Sequence, residues 1–116
     1  MPRTCSFRGM ILMNPKAAET WNFALAKMES AKGLIERDQG ELAKTEIAKA
    51  VYVGAGALYY LLGRGEQEQV AYQAAQSLIT GMAAGEVSAA QAYMSARKIL
   101  GYIADLSPAE DRLPAP

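Results

Sequence analysis

Apolar residues recur every three or four positions along most of the chain, which is the spacing of one face of an α-helix. Short segments that contain glycine or a capping residue separate four such stretches, and no stretch alternates apolar and polar residues as a half-buried strand does. Short connections favour antiparallel neighbours. The sequence therefore predicts an all-α fold, a compact bundle of four main antiparallel helices.

Capping residues mark the predicted ends of the first two helices. Asn14 and Pro15 open the first, because they combine a side-chain acceptor for free backbone N–H groups with a residue already fixed near helical φ. This helix is predicted to end at about Arg37. The second runs from about Glu41 to Gly63, where glycine reaches the left-handed cap conformation without steric cost.

Similar signals bound the last two helices. The third is predicted from about Glu66 to Ala83. Ser88 and Gln91 match the Ser-x-x-Gln capping box, in which the side chain of each residue bonds the backbone N–H of the other. The fourth helix is therefore predicted to begin after Ser88 and to end at about Leu106.

Each predicted helix carries an apolar stripe that is expected to face the core. The four stripes comprise Trp21, Ala24, Leu25, Met28, Ala31 and Ile35; Ile47, Val51, Gly54, Leu58 and Leu61; Val70, Ala74, Ala75, Leu78 and Met82; and Ala92, Ala96, Ile99, Leu100 and Ile103. Residues 14–106 are therefore predicted to form a single domain. Residues 1–13 and the proline-rich residues 107–116 are predicted to be tails.

The second half of the second helix, residues 50–63, carries no charged side chain. Such a helix must be covered on several sides, either by its own domain or by a partner chain. Glycine costs about 1 kcal/mol relative to alanine inside a helix, so Gly54 and Gly56 indicate close approach of a neighbouring helix. Tyrosine combines an apolar ring with a polar tip and is enriched at interfaces. The candidate interface residues are Tyr52, Gly54, Gly56, Tyr59 and Tyr60.

The uncharged run is too short for a membrane span, because crossing a bilayer takes about 20 apolar residues and Lys49 and Arg64 close this run at its ends. The apolar run at residues 10–13 is likewise shorter than the roughly 7–15 residues of a signal-peptide core. Cys5 is the only cysteine, so no disulfide forms within the chain. These features predict a cytoplasmic protein without a membrane segment.

Motifs for catalysis are missing from the sequence. Histidine is absent, which removes imidazole-activated nucleophiles and the metal sites that need imidazole. Gly54 and Gly56 lack the Gly-Lys-Ser/Thr continuation of a phosphate-binding loop. We therefore expect no catalytic residue, no cofactor and no metal, and predict that the protein is not an enzyme.

Positive charge is dispersed along the chain, and twelve basic side chains balance twelve acidic ones. Two pairs, Lys44 with Lys49 and Arg97 with Lys98, are the candidates for contacts to a nucleic-acid backbone if folding brings them together. The alternative is that each pair lies on a solvated helix face, because glutamates are interspersed with the basic residues.

A glycine- and alanine-rich helix that ends in an aromatic residue contains Gly54, Gly56, Ala57, Leu58 and Tyr60. This helix, and residues 93–106 with Arg97, resemble segments of the small α-helical subunits of type III CRISPR ribonucleoprotein effector complexes. The Leu-Pro segment that precedes the glycine-rich helix in that family is missing here. The resemblance implies a non-catalytic subunit that stacks on copies of itself and lines a guide–target duplex with basic side chains.

The leading interpretation is a non-enzymatic helical bundle that acts by association, either with itself or as a scaffold subunit of a larger complex. One alternative is the small subunit of a CRISPR-type ribonucleoprotein that contacts nucleic-acid backbone. Another is a helical domain that binds a small molecule or a peptide. The leading interpretation rests on the apolar second helix, which needs a neighbour either inside or outside the chain.

Overall fold

The computed structural model describes residues 14–116, so the predicted N-terminal tail, residues 1–13, lies outside the described part. The four helices are α1 Pro15–Glu36, α2 Gly40–Leu62, α3 Glu66–Ala83 and α4 Ala89–Leu106, and a short 3-10 turn, Ala109–Asp111, follows them. Residues 14–116 contain no β-strand. The predicted all-α bundle of four helices is confirmed, and each predicted helix end is correct to within one residue.

Local capping contacts hold the two helix starts that the sequence marks most clearly. Asn14 Oδ1 accepts hydrogen bonds from the backbone N–H groups of Lys16 at 2.9 Å and Ala17 at 3.2 Å. Ser88 Oγ accepts from the backbone N–H of Gln91 at 3.1 Å, and Gln91 Oε1 accepts from that of Ser88 at 2.9 Å. Both predicted caps are confirmed, because each supplies acceptors to N–H groups that have no partner within the helix.

Helix α2 is the central helix of the bundle, since it packs against α1, α3 and α4. Two side-chain hydrogen bonds join it to the antiparallel α1, one at the start of α1 and one near its middle. The side-chain amide of Asn14 donates to the carbonyl of Tyr60 at 3.2 Å, and Lys27 Nζ donates to Glu46 Oε1 at 3.1 Å. The chain itself therefore covers the apolar helix α2 on three sides, and no partner is needed to bury its stripe.

Small side chains dominate the core of the described region. More than half of its buried apolar residues are alanines, and the largest fully buried side chains are Trp21, Ile47, Leu58, Leu100, Ile103, Leu113 and Val51. Because alanine side chains are small, the helix backbones approach each other closely. Only a few larger side chains are then needed to fill the core. Most of the predicted stripe residues are buried, while Leu25, Ile35, Leu61, Ala74 and Ile99 are only partly buried.

The prediction for the inward face of α3 is wrong at one position. Val70 is 43% exposed, and Ala71 is fully buried in its place. The stripes that begin at residues 70 and 71 both have helical spacing, so periodicity does not choose between them. The alanine faces inward because α3 packs on the alanine-rich α2, where a small side chain permits closer approach.

The predicted C-terminal tail is instead part of the bundle. Leu113 is only 1% exposed, and its backbone N–H donates to Ser107 Oγ at 2.9 Å. Trp21 Nε1 donates to the carbonyl of Pro114 at 2.9 Å, and the Arg112 guanidinium donates to the last carbonyls of α4. We call residues 107–116 the C-terminal strap. The folded unit in the described chain therefore spans residues 14–116 rather than 14–106.

Candidate interaction surface

Gly54 lies in the core, although its predicted role was at an interface. A Cβ atom at this position would overlap a terminal methyl group of Leu100 on α4, and it would lie 3.5 Å from the Trp21 ring on α1. Gly54 is buried, so a partner chain cannot reach it on the folded bundle. The glycine does mark a close approach, but the neighbour is the chain's own α4.

Gly56 has a different environment from Gly54. A Cβ atom there would lie 3.4 Å from the Tyr72 hydroxyl and 4.0 Å from Thr20 Cγ2, which are ordinary contact distances. The predicted close approach of a helix at Gly56 is therefore not present. Instead, the half-buried Gly56 lies on the surface of α2 beneath the Tyr72 side chain.

Four tyrosines cluster around Gly56 on the surface of α2 and α3, and we call Tyr52, Tyr59, Tyr60 and Tyr72 the tyrosine patch. Tyr52 is 55% exposed, Tyr59 and Tyr60 are also exposed, and Tyr72 is half-buried. The Tyr52 and Tyr72 ring centroids are 5.4 Å apart, and those of Tyr59 and Tyr60 are 5.6 Å apart, both in edge-on geometry. Edge-on pairs are a favourable arrangement of aromatic rings, and three of these four tyrosines remain exposed to solvent.

Tyr72 is the half-buried member of the tyrosine patch, and the basic side chain of Arg64 lies at the end of the patch. Burial raises the pKa of the Tyr72 phenol above its ordinary value, and the neighbouring Tyr52 phenol and Glu68 carboxylate raise it further. The Arg64 guanidinium lies 5.9 Å from the Tyr59 ring centroid, within the range of a cation–π contact. The patch therefore offers aromatic rings and phenol hydroxyl groups to a ligand.

Tyr72 is absent from the sequence-predicted interface, and one signal could have found it. The link between α2 and α3 is short, so residues equally far from its centre, residue 64, lie opposite each other in the antiparallel pair. Gly56 and Tyr72 are each eight positions from residue 64, which places Tyr72 over Gly56 and one helical turn from Tyr52. The contact of Tyr72 with Tyr52 therefore follows from hairpin register and not from the pattern within either helix.

The lysines predicted as nucleic-acid contacts on α2 are paired with glutamates. Lys44 Nζ lies 3.3 Å from Glu41 Oε2, and Lys49 Nζ lies 3.7 Å from Glu46 Oε2. The hydrogen bond from Lys27 holds the pKa of the Glu46 carboxyl below its ordinary value, although partial burial opposes this effect. The carboxylates cancel much of the positive field at Lys44 and Lys49.

Arg97 and Lys98 are exposed on α4, and neither forms an ion pair with an acidic side chain described in the structure. Arg97 borders a cleft between α1 and α4, whereas Lys44 borders a groove between α2 and α3. The two predicted basic pairs therefore do not line one common groove.

Within residues 14–116, no group of three or more histidine, cysteine, aspartate and glutamate side chains is placed to hold a metal ion. None of the helices described is long and apolar enough to cross a membrane. Comparisons of the chain with protein-family models, with curated proteins and with solved structures found no match. Function must therefore be argued from the surface of the bundle itself.

Proposed function

We propose that the protein acts by association through the tyrosine patch, as a non-enzymatic bundle that binds itself or serves as a scaffold subunit of a larger complex. The observation that carries this proposal is the exposure of three patch tyrosines after α2 has packed its other faces inside the chain. Aromatic side chains bury large areas at little cost in conformational entropy, and tyrosine is enriched in the centres of interfaces.

The surroundings of the patch support association with protein rather than with a small molecule. Four clefts in the described part of the chain are lined by residues outside the patch, whereas three of the four patch tyrosines are exposed on the surface. Small ligands are usually held in concave sites that bury most of their surface. A surface of aromatic rings with polar tips suits a protein partner better.

Replacing Tyr52 and Tyr60 together with serine is expected to weaken association at least tenfold, which corresponds to about 1.4 kcal/mol. Both rings are exposed, so the fold should lose only about 1–3 kcal/mol, mostly from the edge-on contacts of Tyr52 with Tyr72 and of Tyr60 with Tyr59. Sedimentation velocity over a micromolar concentration range measures the association. Circular dichroism checks that the helices are retained.

The matched control is Tyr102→Ser, because Tyr102 is also exposed, at 42%, but lies on α4 outside the patch. This variant should associate as the wild type does. If the wild-type protein is a strict monomer and purifies from its host without a protein partner, the proposed function is wrong. Equal loss in the control would show that the patch has no special role.

We propose as a second candidate that the protein is a ribonucleoprotein subunit whose Arg97 and Lys98 contact nucleic-acid backbone. The supporting observation is that both side chains are exposed and have no acidic partner among the described side chains. Unpaired cations on one helix are available to phosphates, and each contact releases condensed counterions. The paired Lys44 and Lys49 are weaker candidates.

Replacing Arg97 and Lys98 with alanine should lower RNA affinity and reduce the slope of log affinity against log salt by roughly one to two units, since about one counterion is released per phosphate contact. Fluorescence anisotropy with a labelled single-stranded RNA at several salt concentrations measures both quantities. The matched control replaces Lys44 and Lys49. An unchanged slope for Arg97→Ala/Lys98→Ala, or the larger loss in the control, contradicts this candidate.

A further inference from the structure

The C-terminal strap occupies a groove between α1 and α4. These two helices touch each other only sparsely, whereas α2 packs on both. Trp21 faces the groove from α1, and its indole N–H donates to the carbonyl of Pro114 at 2.9 Å. The Leu113 side chain joins the main apolar cluster. The groove therefore has a resident occupant whose chemistry is known.

The contacts of the strap select an extended apolar segment followed by proline. A buried site accepts the Leu113 side chain, and the next residue presents a carbonyl to Trp21 and no N–H that would need a partner. Proline also restricts the unbound segment, which reduces the entropy lost on binding. Such recognition by an aromatic N–H resembles the general binding mode of proline-containing segments in aromatic-lined grooves.

The strap does not fill the groove completely. A cleft of about 320 Å³ remains beside Ala115 and Pro116, and Leu25 and Met28 of α1 and Tyr93 of α4 line it. Contacts at this end are looser than those at Leu113, because Ala115 is exposed. Leu113 thus anchors the strap, and the groove is open beyond that residue.

We propose that the α1–α4 groove binds the C-terminal strap of a second copy of the chain, which enters when the resident strap leaves. The occupant of the groove is a segment of this same chain, and a segment that fits the groove within one chain also fits it from another. A segment tethered to the same chain has an effective concentration of order millimolar, so entry of the second strap requires opening of the first. This contact is separate from the tyrosine patch and does not depend on it.

The test uses the full-length Leu113→Asp variant, because a carboxylate at this apolar site keeps the resident strap out of the groove. The probe is a fluorescein-labelled peptide of residues 107–116, and the control peptide carries the same Leu113→Asp change. We expect saturable binding by anisotropy, at least tenfold weaker binding of the control peptide, and a blue shift of emission from Trp21, the only tryptophan. Equal binding of both peptides, or no saturable binding of the probe, overturns the proposal.

A second measurement serves if the Leu113→Asp variant fails to fold. In the wild-type protein, solvent exchange of the Trp21 indole N–H reports departure of the strap, because this group is bonded to Pro114. We expect exchange at least tenfold faster than that of the Leu58 backbone N–H in the core of α2. Equal rates would mean that the strap leaves only when the whole bundle unfolds, and would overturn the proposal.

Discussion

Replacing Leu113 with alanine is expected to lower the free energy of unfolding by about 2–5 kcal/mol, the range for truncating a buried leucine. Leu113 is almost fully buried, although it lies in a proline-rich segment at the end of the described chain. The backbone N–H of Leu113 donates to Ser107 Oγ, and the carbonyl of the next residue accepts from Trp21. Because these bonds fix the backbone, it cannot move to close the cavity that the truncated side chain leaves. Chemical denaturation followed by circular dichroism measures the loss.

Leu42→Ala is the matched control for this prediction. It removes the same atoms from a side chain that is 58% exposed on α2, so its effect should lie within about 0.5 kcal/mol of zero. If residues 107–116 were an unpacked tail, truncating Leu113 would change the free energy of unfolding as little as truncating Leu42. Similar small effects for the two variants would therefore show that the strap is not part of the folded unit in solution.

Replacing Gly54 with alanine is expected to destabilise the protein by about 1–3 kcal/mol through overpacking. The added methyl group would overlap Leu100, which is fully buried, and Trp21 and Ile103 lie just beyond. Leu100 cannot move aside without displacing other core side chains. Helix propensity alone would make the change stabilising by about 1 kcal/mol. A net loss of stability therefore identifies overpacking as the cause.

Gly56→Ala provides the comparison for Gly54→Ala, because both glycines lie on α2 two positions apart. A methyl group at Gly56 meets only ordinary contacts, so this variant should be neutral or stabilised by up to about 1 kcal/mol. Thermal unfolding of both variants under one set of conditions gives the comparison. Stabilisation by both substitutions would contradict the close packing of Gly54 against α4.

The sequence predicted the helix ends well because their causes are local. Asn14 and Ser88 bond backbone groups two or three positions away, so the relevant contacts lie within a few residues of chain. The apolar spacing similarly identified most of the buried face of each helix. Val70 is the exception, because two adjacent stripes on α3 satisfy the same spacing and only the fit to α2 separates them.

The candidate interaction surface was predictable only in part. Tyr52, Tyr59 and Tyr60 were identified by residue type, and the structure exposes all three. Gly54 was placed with them because a glycine inside a helix indicates close approach but does not identify the neighbour. Tyr72 was missed because its proximity to Tyr52 depends on the register between two helices. Whether the surface binds a partner stays a prediction.

The sequence by itself determined the class of fold and the number and ends of the described helices, because each follows from residue type or from contacts a few positions apart. Only the tertiary structure decided that Gly54 packs inside, that the tyrosines gather around Gly56 and that Leu113 is buried. These outcomes depend on residues tens of positions apart, as in the bond between Trp21 and Pro114. A one-dimensional pattern shows that residues 50–63 must be covered, and three-dimensional packing decides which faces the chain covers and which remain exposed.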